Sequence, residues 1–140
     1  MFYRMFKRVG RLKIMGVKKM ENKIFDYNKI CEDIKSLDEK IQFVSIINAD
    51  GNLITGGING GSADTQSKRF YEELYEEVAT RIKLRKKFDG LLGEVKGTIV
   101  IRNRTITMNF PLKENILFIS ADTSIDYGII FEKIFKIIQE

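Results

Sequence analysis

The stretch that decides the fold of this chain is Phe43-Val44-Ser45-Ile46-Ile47-Asn48-Ala49-Asp50-Gly51. Its first five residues are almost continuously apolar, which is typical of a strand covered on both faces. The Asp50-Gly51 pair predicts a tight reversal, because glycine adopts the positive φ angles of hairpin turns at no steric cost. Residues 53–55 then return as a short second strand. The stretch therefore predicts a β-hairpin whose first strand lies inside a sheet.

Apolar residues at helical spacing lie both before and after this hairpin. Before it, apolar residues at steps of three and four predict a helix that begins at the N-cap Asp26 and has a stripe running to Ile41. After it, a long helix is predicted from about Asp64 to about Phe88. The main apolar stripe of the long helix consists of Tyr71, Leu74, Tyr75, Val78 and Ile82.

The long helix has two features that packing on one sheet does not require. A second apolar flank, roughly 100° around the helix, consists of Phe70, Leu84 and Phe88. The charged residues divide into an acidic first half and a basic second half, namely Glu72, Glu73, Glu76 and Glu77, then Arg81, Lys83, Arg85, Lys86 and Lys87. Two copies packed antiparallel would place acid against base at both ends. A solvated helix whose charges complement its dipole is the alternative.

The last third of the chain predicts three strands and a helix. Residues 95–102 and 105–110 alternate between apolar and polar, which is typical of strands with one wet face. Pro111 to Asn115 are predicted as a turn, residues 116–119 as a second continuous strand, and an apolar helix follows from Tyr127. The two continuous strands, the first and the fifth, should lie side by side in the centre. The strand 95–102 then lies at an edge, where it pairs with another chain or risks aggregation.

Composition excludes most catalytic chemistry. The 140 residues suffice for one domain, and they include no histidine and one cysteine, Cys31. Nucleophile pairs with histidine and zinc sites of the usual ligands are therefore absent. We predict no catalytic, cofactor-binding or metal-ligating residue. Because Cys31 has no partner for a disulfide and no apolar run is long enough to span a membrane, a cytoplasmic location is expected.

The net charge of +5 is concentrated in the first 20 residues, which carry seven of the 24 basic residues and no acid. The remainder, with 19 acidic residues, has a formal charge of −2, so a basic domain surface for nucleic acid is not indicated. Residues 1–22 are predicted as an extension outside a domain of residues 23–140. The extension is an arm for a membrane surface or nucleic acid, a disordered tail, or an artefact of translation starting at Met15 or Met20; we favour the last.

Two further segments have an ordinary and a ligand-binding interpretation. The glycine-rich segment Gly56–Gly61 precedes a helix, where phosphate can bind, but no Lys-Ser/Thr pair follows it as in a P-loop. A flexible connection is therefore favoured. Arg102-Asn103-Arg104 forms a predicted hairpin tip, for which a polar turn is favoured over a phosphate grip.

The chain resembles the roadblock/LC7 superfamily over residues 24–140. The resemblance rests on the element order, the hairpin 44–51, the small-residue second strand and Asp126–Ile130 at the start of the final helix. It implies an α/β (α+β) fold of order αββαβββα, in which a five-stranded antiparallel sheet has the long second helix on one face and the first and last helices on the other. Ser62-Ala63-Asp64 and the long basic segment Arg85–Gly93 depart from the family pattern. The chain is also similar to short archaeal proteins without an assigned role.

Members of that family are mostly dimeric platforms for small GTPases, motors or other signalling components. The resemblance therefore implies a non-enzymatic homodimeric scaffold or regulator, with third strands paired edge to edge, second helices packed across a two-fold axis, and a small GTPase as a further partner. The predicted interface consists of Phe70, Glu73, Glu77, Arg81, Leu84, Arg85, Phe88, Val95, Gly97 and Ile99. The alternatives are a small-ligand sensor of a PAS-like kind, with a pocket between the glycine segment and the sheet, and an enzyme that uses carboxylates, lysines or tyrosines.

Overall fold

The computed structural model describes residues 26–57 and 65–139, and its elements follow the predicted order. In chain order they are α1 (Tyr27–Lys35), β1 (Ile41–Ile47), β2 (Leu53–Gly56), α2 (Thr65–Arg85), β3 (Thr98–Ile101), β4 (Ile106–Leu112), β5 (Asn115–Ala121) and α3 (Tyr127–Gln139). A 3-10 turn (Lys86–Phe88) and a single helical turn (Asp89–Leu92) follow α2. The basic extension 1–22 and most of the glycine-rich segment lie outside the described residues.

The strands form one antiparallel sheet in the order β2-β1-β5-β4-β3. The two continuous strands are direct neighbours, with Ile46 paired with Leu117. Strand β3 lies at one edge of the sheet and β2 at the other. The predicted central position of β1 and β5 and the predicted edge position of β3 are confirmed.

The sheet separates two apolar cores. On one face, α1 and α3 bury Ile34 and Ile134 against strand residues such as Met108 and Leu117. On the other face, α2 buries its main stripe against residues of β1 and β5, namely Phe43, Ile47, Ile116 and Phe118. The predicted fold class is therefore confirmed, including the distribution of the three long helices over the two faces.

Helix α1 is shorter than predicted. Its N-cap is Asp26, whose carboxylate accepts a hydrogen bond from the Lys29 amide at 3.2 Å, as expected. The predicted stripe ran on to Ile41, but the helix ends at Lys35 and Ile41 opens β1. Ile41 lies seven residues after Ile34, which is a helical repeat, and the intervening turn allows it to face the same core from a strand.

Three other boundaries differ from the predictions. The α-helical part of α2 ends at Arg85, before Phe88. Strand β3 is only the four residues Thr98–Ile101, so Val95 and Gly97 lie outside it. The predicted turn at residues 111–115 shrinks to two residues, because Leu112 pairs with Asn115 and Lys113 adopts a φ of 64°.

The β1–β2 hairpin tip packs against α2. Gly51 has a φ of +92°, and a Cβ atom there would lie 2.8 Å from the Cα of Glu76. Asp50 beside it forms an ion pair of 3.4 Å with Lys83. The absence of a side chain at Gly51 thus lets the hairpin seat the long helix on the sheet.

Candidate protein interface beside helix α2

Helix α2 covers only half of its sheet face. The ring of Tyr71 contacts Phe43 of β1 edge-on, with centroids 5.2 Å apart, and the ring of Tyr75 contacts Phe118 of β5 at 5.4 Å. Strands β4 and β3 lie beyond these contacts in the strand order, and neither contributes a residue to the apolar core under α2. A groove of about 470 Å³ remains between α2 and the exposed half of the sheet.

The groove has a wall of mixed character and a largely polar floor. The wall is built by α2 residues, including Phe70, Leu74, Glu77, Arg81 and Arg85. The floor is built by β3, β4 and their connecting turn, including Thr98, Val100, Thr105, Thr107 and Asn109. The wall is therefore mainly apolar at the N-terminal end of α2 and mainly charged at its C-terminal end, above a floor rich in polar groups.

Seven of the predicted interface residues lie on α2 or immediately after it. Phe70, Glu77, Arg81 and Arg85 line the groove. Glu73, Leu84 and Phe88 are exposed nearby, with Leu84 53% and Phe88 59% accessible to solvent. Large apolar side chains left this exposed, beside a groove, are typical of surfaces that associate with other proteins.

The other three predicted residues do not present side chains to the groove. Ile99 packs into the core on the α1 and α3 face. Gly97 lies against the same face, because a Cβ atom there would collide with the ring of Phe131. Val95 lines a second cavity of about 290 Å³, which shares Arg85, Thr98 and Asn109 with the groove. The structure therefore brings together the helical part of the predicted set and separates it from these three side chains.

Some of the charged residues predicted to pair with a second copy instead form ion pairs within the same chain. Arg81 forms an ion pair with Glu77 one helical turn earlier. Lys83 pairs with Asp50 of the hairpin. Both pairs are largely exposed, so each contributes little to stability by itself.

Asn109 is the residue of this region that the sequence prediction missed. Alternation along β4 predicted a wet face, but Asn109 is only 6% exposed, and the side chains of the strand are mostly buried. Its Oδ1 atom has no hydrogen-bond partner in the part of the chain that the structure describes. Polar residues at every second position of β4 predicted a solvent-exposed face, and nothing in this alternation marks Asn109 as buried.

The described residues contain no group of three or more histidine, cysteine, aspartate or glutamate side chains close enough to hold a metal ion. Cys31 is half-buried against the α1 and α3 core. Burial, with a smaller contribution from the charge of Glu32, raises the pKa of its thiol from 9.0 to about 11. Within the described ranges, no helix is both long and apolar enough to cross a bilayer.

Comparison with known proteins gives a family and a fold. The model of a family of unknown function, DUF6659, matches residues 19–140. No curated protein matches. Among solved structures, MglB of Myxococcus xanthus is similar with a TM-score of 0.64 and 16% identity, covering 82% of this chain and 91% of that one. A roadblock/LC7 domain of Streptomyces avermitilis gives a TM-score of 0.61 at 10% identity, covering 79% and 89%. The gliding protein MglB of Thermus thermophilus gives 0.60 at 12% identity, covering 79% and 83%. The roadblock-like fold is thereby confirmed.

Proposed function

The chain belongs to the family of unknown function DUF6659 and has a roadblock-like fold, and we propose that it is a non-enzymatic scaffold or regulator that works as a homodimer. The observation that carries this proposal is the groove beside α2, whose wall combines the exposed Phe70 with charged residues above the floor formed by β3 and β4. The occupant that we propose for the groove is helix α2 of a second copy.

The residue order along α2 supports a two-fold, antiparallel pairing of the two helices. Three pairs of residues have Ala79 halfway between their members: Phe70 and Phe88, Leu74 and Leu84, and Glu77 and Arg81. At 100° per residue, the helical members of these pairs lie within about 40° of one line along the helix. When two α2 helices pack antiparallel with their Ala79 residues at the centre, one member of each residue pair in one copy lies at the same height as the other member in the second copy. Phenylalanine then lies opposite phenylalanine, leucine opposite leucine, and glutamate opposite arginine.

Apolar burial is the main source of affinity in this arrangement. Each large side chain that becomes fully buried contributes about 1.5–3 kcal/mol. Glu77 and Arg81 of both copies lie near the axis and form a group of four alternating charges. Because exposed ion pairs contribute about 1 kcal/mol or less, this group favours the antiparallel orientation more than it adds affinity.

Strand β3 supports the same assembly through its backbone. Among the described strands it pairs only with β4, so the other side of Thr98–Ile101 carries unpaired amide and carbonyl groups. Pairing with β3 of a second copy would satisfy these groups and remove an exposed edge. In this way Ile99 can contribute to the interface although its side chain faces the opposite core.

A further partner is proposed from the resemblance. Roadblock proteins are platforms, and a small GTPase is the class of partner that the resemblance implies. Similarity to the gliding protein MglB is in keeping with a regulatory role. Purification from the native cell followed by mass spectrometry should recover such a GTPase with the wild-type chain and less of it with a variant that does not dimerise.

Chemical cross-linking tests the proposed pairing directly. In a Cys31→Ser background, which removes the only native thiol, single cysteines are introduced at Phe70, Arg81 or Phe88 and treated with a short bismaleimide. In the antiparallel dimer, two copies of Arg81→Cys lie about 6 Å apart along the axis, whereas two copies of Phe70→Cys lie about 27 Å apart.

Arg81→Cys should therefore cross-link with itself. Phe70→Cys and Phe88→Cys should cross-link only when the two proteins are mixed. Efficient cross-linking of Phe70→Cys alone would indicate parallel helices and contradict the pairing. Absence of any cross-link would contradict the dimer.

A further inference from the structure

The short segment after α2 projects from the domain and exposes two leucines. Leu91 and Leu92 belong to the single helical turn Asp89–Leu92, and they are 91% and 78% accessible to solvent. Among the described residues, they are the most exposed of the large apolar side chains. A Cβ atom added at Gly90 or Gly93 would meet no atom of the surrounding structure within 4 Å. The turn therefore lies clear of the rest of the domain.

The proposed dimer does not account for these two leucines. The pairing of α2 with a second copy uses apolar side chains from Phe70 to Phe88, and Leu91 lies beyond them. The residue at the corresponding distance on the other side of Ala79 is the polar Ser67. Adjacent apolar side chains that neither the fold nor the dimer covers are typical of a contact with something else.

Basic residues are concentrated directly before the leucines. The seven residues 81–87 include no acid and five cations, namely Arg81, Lys83, Arg85, Lys86 and Lys87. Arg81 and Lys83 each form an ion pair within the chain. Lys86 and Lys87 are exposed, and neither forms an ion pair with a described residue. Asp89 is the one acid of residues 81–92, so this segment attracts anions.

Cations beside projecting apolar tips match the surface of an anionic lipid bilayer. Basic side chains are attracted to its headgroups, while leucines enter the boundary between headgroups and acyl chains. A cluster of roughly four to eight lysines and arginines on an amphipathic helix is the pattern expected for recognition of anionic lipids. The five cations and the two leucines fit this pattern.

Other anionic partners fit the segment less well. A nucleic acid would attract the cations but would leave the leucines uncovered. An acidic protein would need a fitted apolar pocket for two side chains that project at a tip. A fluid bilayer accepts such a tip without a preformed pocket, so the leucines favour the membrane.

We propose that residues 81–92 bind the surface of an anionic lipid bilayer. Leu91 and Leu92 enter the headgroup region, and Lys86 and Lys87 contact the lipid phosphates. The contact is peripheral, because only one helical turn with its flanking cations takes part. It depends on neither the groove nor the dimer, since these four residues are outside the proposed α2 pairing.

Sedimentation of the full chain with lipid vesicles tests the leucines. The probes are vesicles of phosphatidylcholine alone and of phosphatidylcholine mixed with phosphatidylserine. The wild type should bind the mixed vesicles at least about tenfold more tightly, because each basic residue near an anionic surface strengthens binding about fivefold. Leu91→Ser/Leu92→Ser should weaken this binding at least about tenfold through the lost apolar contact. Ile129→Ser, at an exposed apolar residue of α3, is the control and should bind normally.

A second pair of variants tests the cations. Lys86→Glu/Lys87→Glu should weaken binding to the mixed vesicles at least about twentyfold. Lys133→Glu/Lys136→Glu reverses the same number of charges on exposed residues of α3 and should weaken binding far less. All variants keep the basic residues 1–20, so binding through that extension is common to them and does not produce a difference between them.

Four vesicle results would overturn the proposal: no binding of the wild type, equal binding to both kinds of vesicle, normal binding of Leu91→Ser/Leu92→Ser, or equal weakening by the two lysine variants. Soluble polyglutamate is the probe for an acidic protein partner. Binding of polyglutamate without binding of vesicles would also overturn the proposal and assign the segment to such a partner.

Discussion

The hydroxyl groups of Tyr75 and Ser45 lie 2.7 Å apart, buried between helix α2 and strand β1. Because Tyr75 belongs to the main stripe of α2, this hydrogen bond helps to set the rotation of the helix on the sheet. That rotation determines which flank of α2 faces the groove. The proposed dimer surface therefore depends on a buried contact outside the surface itself.

Replacing Tyr75 with phenylalanine should lower the free energy of unfolding by about 1 kcal/mol, because Ser45 loses its buried partner. Tyr71→Phe is the matched control. Tyr71 packs beside Tyr75 on the same helix, but its hydroxyl forms no hydrogen bond that is seen among the described residues. Tyr71→Phe should therefore leave the free energy of unfolding nearly unchanged. Urea unfolding measures both. Equal effects of the two variants would show that the Tyr75–Ser45 bond does not stabilise the fold.

The pKa of Cys31 predicts a loss of stability in alkali. Burial, followed by the charge of Glu32, raises this pKa from 9.0 to about 11. The folded state therefore holds the thiol proton more tightly than the unfolded state. The resulting stabilisation is complete below pH 9.0 and is lost as pH rises towards about 11. Thermal melting across this range should show a steeper decline for the wild type than for Cys31→Ala, and identical slopes would contradict the assignment.

Two glycines with nearly the same φ allow the cost of steric crowding to be compared with the cost of backbone conformation. Gly51 and Gly93 have φ values of +92° and +90°, but only Gly51 has backbone atoms of α2 within 3 Å of an added Cβ. Gly93 has a φ of 90° and a ψ of 164°, a region that only glycine adopts readily, so Gly93→Ala should lower the free energy of unfolding by about 1–3 kcal/mol through its backbone conformation alone. Gly51→Ala should lower the free energy of unfolding clearly more, because the hairpin must also move away from Glu76. Comparable losses in denaturant titrations would mean that the hairpin does not seat α2.

The extension should be dispensable for folding. Every periodic signal begins after Asn22, and the family model begins at residue 19. We therefore propose that a chain beginning at Met20 keeps its melting temperature within a few degrees, given about 4–8 °C per kcal/mol for a domain of this size. Loss of a cooperative transition on truncation would make the basic extension part of the folded domain.

Burial leaves a strong local pattern, so the sequence allowed the element order and the central position of β1 and β5 to be predicted, whereas the distribution of the helices over the two faces was implied by the resemblance to roadblock proteins. The continuous strands β1 and β5 and the main stripe of α2 are examples. It did not predict where α2 packs across the strand order, which local patterns do not show. Asn109 was therefore assigned to a solvent-exposed face, although it is buried. Ile41 was assigned to a helix because its spacing from Ile34 suits a helix as well as a turn followed by a strand.

We propose that the exposed flank of α2 joins two copies of this chain. Light scattering at micromolar concentration measures the mass of the assembly, with Leu84→Glu/Phe88→Glu as the variant. Ile129→Glu is the control, because Ile129 is as exposed as Leu84, at 53%, but lies on α3 across the sheet. The wild type and the control should have twice the chain mass of 16.2 kDa, and the double variant should form soluble monomers. A wild-type mass near 16.2 kDa, unchanged by the substitutions, would contradict the dimer and the scaffold proposal that depends on it.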